Sequence, residues 1–299
     1  MNWIIKESVS GNPAVWTPPA GFSVGSVEIT FYGIIIALAI VASVIIADRL
    51  GKKYRNVSSD DVFFVAWFTV GFGVLGARLF YIFTFIDIYI ASPQLIFTQF
   101  AGLSIYGGIV GGFAGLCLGV FLGNKIKQRK GQNGKIDLVA VLDIAAPVVV
   151  MSQAIGRWGN FFNQELYGRE ITNANAQWFP WAVYINWNAN HAEAWHHALF
   201  FYESFLNIIV FAVLIFLIKR VKAPGLIVSL YVAAYGIIRI ILEGFREPEG
   251  TPVLFGAFNV WHMFSLLFIV VGLTFTSIWL YRNKDILKKR RRKKEPKKV

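Results

Sequence analysis

Of 299 residues, 56% are apolar and 15% charged, against about 25% charged in an ordinary soluble domain. With recurring apolar runs of roughly 20 residues, this excludes a soluble globular protein and predicts an all-α polytopic membrane protein rather than a barrel. The net charge of +12 lies mostly in the C-terminal tail, where it reads as a topology signal and an anionic-lipid anchor. A juxtamembrane basic run without aromatics is not a nucleic-acid surface. The single cysteine, Cys117, sits in an apolar span, so neither an internal disulfide nor a Cys/His metal site is available.

In chain order, residues 1–28 carry one lysine and no apolar core, and are expected to be an extracytoplasmic segment rather than a signal peptide. Seven spans follow, predicted at 29–47, 62–86, 103–123, 136–158, 197–218, 224–243 and 260–281. Lysine and arginine alternate between the connections. Four lie in 48–61, five in 124–135, three in 219–223 and eleven after residue 281, whereas 87–102 has none. The positive-inside rule then places the N-terminus outside and the C-terminus in the cytoplasm. The expected organisation is transmembrane helices 1–4 in 29–162, an extracytoplasmic head at 163–196, helices 5–7 in 197–281 and a basic cytoplasmic tail at 282–299. The head holds Trp178, Trp181, Tyr184, Trp187 and Trp195. Such aromatics line membrane interfaces or form a cap that receives an extended peptide.

The basic residues outside this pattern are Lys6, Arg78, Arg157, Arg169, Arg239 and Arg246. Arg157 ends the apolar run Ile136–Ile155 and opens the stretch Gly156-Arg157-Trp158-Gly159-Asn160, which continues to Gly168-Arg169. An arginine there is functional by default, and on a helix it shares a face with Asn160. Gly156 and Gly159 admit close approach of a headgroup or a helix. The plainer reading is a tight helix contact with a snorkelling arginine. The sixth span carries Tyr231, Tyr235, Arg239, Glu243 and Arg246 as one polar stripe. Arg239 and Glu243 would pair at i,i+4, either as a structural ion pair or leaving positive charge for a phosphate, which arginine grips bidentately.

The third span opens Tyr106-Gly107-Gly108, with small-xxx-small pairs at 107/111 and 108/112. These suit a packing face or a seat for a lipid glycerol. Tyr32 lies beside Gly33 at the start of the first span. His196 and His197 open the fifth span; neighbours on a helix diverge, so a metal site is not expected, and His197 with Glu203 is read as a supporting pair. From these residues the function is an outer-side anion site in a membrane protein. An anion transporter, a headgroup phosphotransferase using Asp137 and Asp143, and a scaffold stay open as alternatives.

The stretch Gly156–Arg169 resembles the signature of bacterial prolipoprotein diacylglyceryl transferases. So do, in order, Phe31-Tyr32-Gly33, Gly76-Ala77-Arg78, the glycines of 107–111, His197 with Tyr202-Glu203, and Tyr235-Gly236 with Arg239, Glu243 and Arg246. The resemblance implies seven spans with the N-terminus outside. It implies transfer of a diacylglyceryl group from phosphatidylglycerol to the lipobox cysteine thiol of a preprolipoprotein, forming a thioether and releasing glycerol phosphate. It places Arg157, Arg239 and Glu243 in catalysis, and Tyr106 is expected beside them by its position although it departs from the family pattern. It assigns Arg157, Asn160, Tyr32, Gly168, Arg239, Glu165, Glu203 and Arg246 to binding phosphatidylglycerol. The histidine that family members carry directly before the third-span Gly-Gly is Tyr106 here, so the thiol-activating base is not assigned. With the nucleophile supplied by the substrate, no catalytic Cys or Ser, metal or cofactor is demanded.

Overall fold

The computed structural model describes residues 5–6, 15–16, 18–25, 27–98, 102–185, 194–246, 253–255 and 258–284. The expectations for the tail beyond 284 and for Trp187 lie outside these residues. Seven helices among them are long and apolar enough to cross a membrane: α1 (Phe31–Leu50), α2 (Ser59–Thr84), α3 (Ile105–Arg129), α4 (Leu138–Phe162), α5 (Leu199–Ile218), α6 (Leu226–Glu243) and α7 (Val260–Arg282). All seven predicted spans are present with shifted ends. The largest shifts are in α3 and α4, which run on to Arg129 and Phe162. Apolar length marks what a bilayer needs, whereas a helix continues until its backbone bonds are broken. Arg157 and Asn160 therefore stand inside α4.

The chain divides into two compact units, residues 44–142 and residues 1–43 with 143–299. In the first, α2 and α3 pack through their glycines. A Cβ on Gly76 would strike the Gly107 carbonyl oxygen, one on Gly107 the Gly76 carbonyl oxygen, and one on Gly115 the Phe68 carbonyl oxygen. Small residues that let backbones touch are a membrane-helix device, so the glycine pairs of the third span are a packing face. Lys127 in the last turn of α3 meets Asp61 in the first turn of α2 at 2.5 Å, each charge at the helix end whose dipole favours it. Arg78 donates to the carbonyls of Gly102, Leu95 and Ile96 at 3.3–3.4 Å, which accounts for one basic residue outside the charge pattern.

In the second unit, Asp143 is fully buried on α4 and accepts from the backbone N–H groups of Gly225 and Val228, both at 3.0 Å. It caps the N-terminus of α6, where a carboxylate meets unsatisfied donors and the positive end of the helix. Asp137 likewise accepts from the Val139 N–H at 2.9 Å. Both aspartates of the phosphotransferase alternative are thus spent on helix starts. α6 and α7 meet through Gly236, where a Cβ would lie 2.6 Å from the Ser265 carbonyl oxygen, and through Gly272, where it would meet Ala233. α4 and α5 are joined by Ser204, which donates to the Ala154 carbonyl at 2.8 Å and accepts from Trp158 Nε1 at 3.2 Å.

Two hairpins matter here: β1 (Gly21–Val24) with β2 (Val27–Thr30), and β3 (Ala182–Ile185) with β4 (Ala194–His197). β4 corrects one expectation. The fifth span does not open on His196 and His197 as helix; they end a strand, and α5 starts at Leu199. Both backbone groups of His197 pair with the 168–169 segment, accepting from the Gly168 N–H at 2.8 Å and donating to the Arg169 carbonyl at 3.1 Å. Such non-local pairing overrides a local helical pattern. Phe161, Val183, Ile185, Ala198 and Phe200 form a buried cluster that fixes this hairpin to the ends of α4 and α5.

Candidate active site

A cavity of about 400 Å³ opens where α4 and α6 end and α5 begins. Arg157, Glu165, Glu203, Arg239, Glu243 and Arg246 all line it. These six come from four separate stretches of chain, so the cavity holds three guanidinium groups and three carboxylates.

The carboxylates are committed. Glu203 is buried and accepts from Arg157 Nη2 at 2.6 Å. Glu165 accepts from Asn160 Nδ2 at 2.8 Å and from Asn163 Nδ2 at 3.3 Å. Glu243, also buried, accepts from Asn259 Nδ2 at 2.6 Å. The arginines are much less occupied. Arg157 has one further long bond, from Nη1 to Asn160 Oδ1 at 3.4 Å, and its buried Nε finds no partner among the described residues. The expected Arg239–Glu243 pair is present but loose at 3.9 Å, beyond hydrogen-bonding distance. What the cavity offers is therefore donor N–H on two or three arginines, an environment for an anion.

Local structure explains the aim of these groups. The turn that follows α4 places Gln164 and Leu166 at φ +51 and +58, a region that side-chain-bearing residues visit at a cost. This reversal turns Glu165 back to Asn160. Gly168 has an ordinary φ, and its requirement is space. A Cβ there would sit 2.5 Å from the Phe245 carbonyl oxygen and 2.9 Å from His197 Cβ. Gly168 thereby holds the end of α6 against β4 without lining the cavity. Tyr32, on α1, packs flat against Gly159, where a Cβ would lie 2.6 Å from its ring. Asn160 is buried beneath Glu165. Tyr106 is in the other unit, half-exposed in the first turn of α3, with its ring 6.3 Å from that of Phe80.

One residue escaped the sequence reading and another was given the wrong partner. Asn259 is the N-cap of α7, accepting from the His262 N–H at 3.1 Å while it holds Glu243. An asparagine directly before a long apolar run is the signal that marks it. His197 is not a partner of Glu203. Its Nδ1 lies 3.0 Å from the Tyr202 hydroxyl, which itself donates to the Trp181 carbonyl at 2.7 Å. The hydroxyl has one proton, which goes to Trp181, so His197 Nδ1 is the donor in this pair.

Burial, then the nearby Arg169 and His196, push the His197 pKa below its ordinary value. A depressed histidine contributes stability that is present above about pH 6.5, its unfolded value, and is lost as the pH falls through the folded value. Thermal unfolding in detergent should show wild type losing more on going from about pH 7.5 to about pH 5 than His197→Asn, which has nothing to titrate there. Equal losses would remove His197 as the source.

A family model for prolipoprotein diacylglyceryl transferase matches residues 19–278. The phosphatidylglycerol–prolipoprotein diacylglyceryl transferase 1 of Clostridium perfringens is 33% identical over 272 residues, covering 89% of this chain and 96% of the relative. The Clostridium botulinum (strain Loch Maree) enzyme of that name is 33% identical, covering 86% and 95%. The Clostridium novyi enzyme is 30% identical, covering 90% and 99%.

Proposed function

This chain belongs to the prolipoprotein diacylglyceryl transferase family, and on that premise we propose that the cavity at the ends of α4, α5 and α6 holds the phosphate of phosphatidylglycerol during transfer. The protein is a transferase of the bacterial cell membrane, and it moves a diacylglyceryl group from phosphatidylglycerol to prolipoprotein. The acceptor is the lipobox cysteine thiol. The thiol gives up its proton, its sulfur forms a bond to the glyceryl carbon as the carbon–oxygen bond to phosphate breaks, and glycerol phosphate leaves with the electron pair, the proton passing to it or to solvent. Negative charge grows on the phosphate oxygens, where Arg157 and Arg239 stabilise it in a site whose low dielectric strengthens each contact. One observation carries this reading: the three acids of the cavity are bonded to other groups, while the Arg157 Nε and the Arg239 fork keep donors to spare.

Asn160 ties Arg157 to Glu165, and Asn160 and Glu203 between them hold Nη1 and Nη2 of the guanidinium, which leaves its Nε without a partner among the described residues. Glu243 and Arg246 set the charge around Arg239, while Tyr32, packed on Gly159, and Gly168, packed on Phe245 and His197, hold the surrounding elements in place without lining the cavity. Mass spectrometry of a lipobox peptide, incubated with purified protein and phosphatidylglycerol, tests the reaction. A mass gain of one diacylglyceryl group is expected, and an unmodified peptide would refute the reading.

Tyr106 stands where relatives of this family carry the histidine assigned as base. A free tyrosine has a pKa of about 10, so only on the order of one in a thousand is phenolate at neutral pH. We propose that Tyr106 acts as a hydrogen-bond donor rather than as the base. Loss of one bond to a charged partner, about 1.5–3 kcal/mol, makes Tyr106→Phe about 10- to 100-fold slower, while Tyr106→His retains activity. Complete loss in Tyr106→Phe, with loss of an ionisation from the pH–rate profile, would make it the base.

The charge alternation supports an outer-side site, with the 163–196 head outside and the tail inside. Cysteines introduced into the tail should be protected from an impermeant reagent in intact cells, and labelling there would overturn this orientation.

A further inference from the structure

One turn below the cavity, away from its mouth, lies a second set of polar side chains that the transfer chemistry does not use. On α5, Asn207 is 1% exposed, and neither its Oδ1 nor its Nδ2 has a hydrogen-bond partner among the described residues. On α4, the buried Oε1 of Gln153, a residue within electrostatic reach of Tyr231 on α6, has no hydrogen-bond partner among the described residues. These residues face one another. α4 and α5 run antiparallel, with Arg157 bonded to Glu203 and Ala154 to Ser204, and the same register brings Gln153 opposite Asn207. Each stands four residues from a cavity arginine or its carboxylate, about 6 Å along the helix. Tyr231 completes the set two turns from Arg239, and it feels the charge of Glu203.

Three orphaned polar atoms at one level of an apolar helix bundle are costly to keep. Their chemistry narrows the occupant. Gln153 Oε1 and Asn207 Oδ1 need donors, whereas Asn207 Nδ2 needs an acceptor. Ester carbonyls and phosphate oxygens only accept. In phosphatidylglycerol, donors are found solely on the hydroxyls of the head glycerol, which is bonded directly to the phosphate that the arginines hold. We propose that Gln153 and Asn207, with Tyr231, form the headgroup subsite that reads the glycerol hydroxyls and selects phosphatidylglycerol as donor lipid. The proposal rests on the transferase reading above.

The test compares phosphatidylglycerol with phosphatidylpropanol, whose head lacks the hydroxyls, as donor lipid for a lipobox peptide in mixed micelles. Wild type should prefer phosphatidylglycerol by more than about 100-fold, because a site built to bind a hydroxyl rejects the analogue that lacks it. In Asn207→Leu and in Gln153→Met the two rates should converge to within about threefold, chiefly through loss of the phosphatidylglycerol rate. Asn207→Leu replaces an orphaned amide by an apolar side chain of similar size and should melt no lower than wild type. Should the variant melt lower, Asn207→Ser, with a shorter hydroxyl, provides the same comparison. If the variants slow both lipids equally, the cluster holds water or a structural contact and the proposal fails. A wild type that shows no preference also overturns it, as does a variant changed only in its KM for the peptide. Wild type that transfers from neither lipid would refute the transferase reading itself, a result distinct from all of these.

Discussion

Replacing Arg157 by alanine is expected to abolish diacylglyceryl transfer and to destabilise the protein at the same time. Both effects follow from the position of its guanidinium. One edge is bound to Glu203 at 2.6 Å, and Glu203 is only 5% exposed. Removing the cation leaves a buried carboxylate without its charge partner, which costs about 3–5 kcal/mol in comparable cases. On the reading proposed above, its remaining donors would meet the phosphate on which charge develops, and loss of one such donor typically costs about 10²- to 10³-fold in rate. Arg157→Lys should fail nearly as badly, since a point charge cannot serve Glu203, Asn160 and the phosphate together. The two effects are separable. In Arg157→Gln with Glu203→Gln the buried charge is gone, so the melting temperature should recover while transfer stays absent. Near-wild-type turnover of the lipobox peptide by Arg157→Lys would defeat the bidentate part of the assignment. Recovery of transfer in the double variant would remove Arg157 from the chemistry.

How much of this was legible in the sequence depends on the distance over which each feature is encoded. The seven spans are local, since twenty apolar residues announce themselves. The stripe Tyr231, Tyr235, Arg239, Glu243 is also local, because the helix repeat alone puts it on one face. The Arg157–Glu203 pair joins residues 46 apart, and only the packing of α4 on α5 creates it. Gly168 was marked by resemblance, but its physical reason, three chain segments converging on one backbone, is tertiary. His197 was misread because a strand pairing with residues 182–185 and 168–169 decides its conformation. Asn207 and Gln153 passed unnoticed as single amides in apolar runs; their interest arises when two helices align them and leave their atoms unpaired.

Arg239 should behave differently from Arg157, and the contrast tests the site. Its guanidinium reaches no closer than 3.9 Å to Glu243, whose other oxygen is held by Asn259 at 2.6 Å. Removing Arg239 therefore takes away little that the resting fold uses. Glu243 keeps its hydrogen bond to Asn259, and a contact as long as 3.9 Å is not a hydrogen bond whose loss would leave it without a partner. By contrast, an arginine with uncommitted donors beside a phosphate matters most when charge moves onto that phosphate, where such a group has been worth about 10³- to 10⁵-fold in rate. Arg239→Ala should accordingly keep a melting temperature close to wild type and lose transfer by at least about 10³-fold. Arg239→Lys should restore little, because one ammonium does not reproduce two parallel N–H bonds. Lipid binding provides the discriminating measurement. If Arg239 acts on the leaving phosphate, its loss lowers the maximal rate at saturating phosphatidylglycerol far more than it raises the lipid concentration needed for half-maximal rate. A variant in which only the latter changes would make Arg239 a ground-state binding residue. One in which neither changes would place the anion chemistry on Arg157 and Arg246 alone.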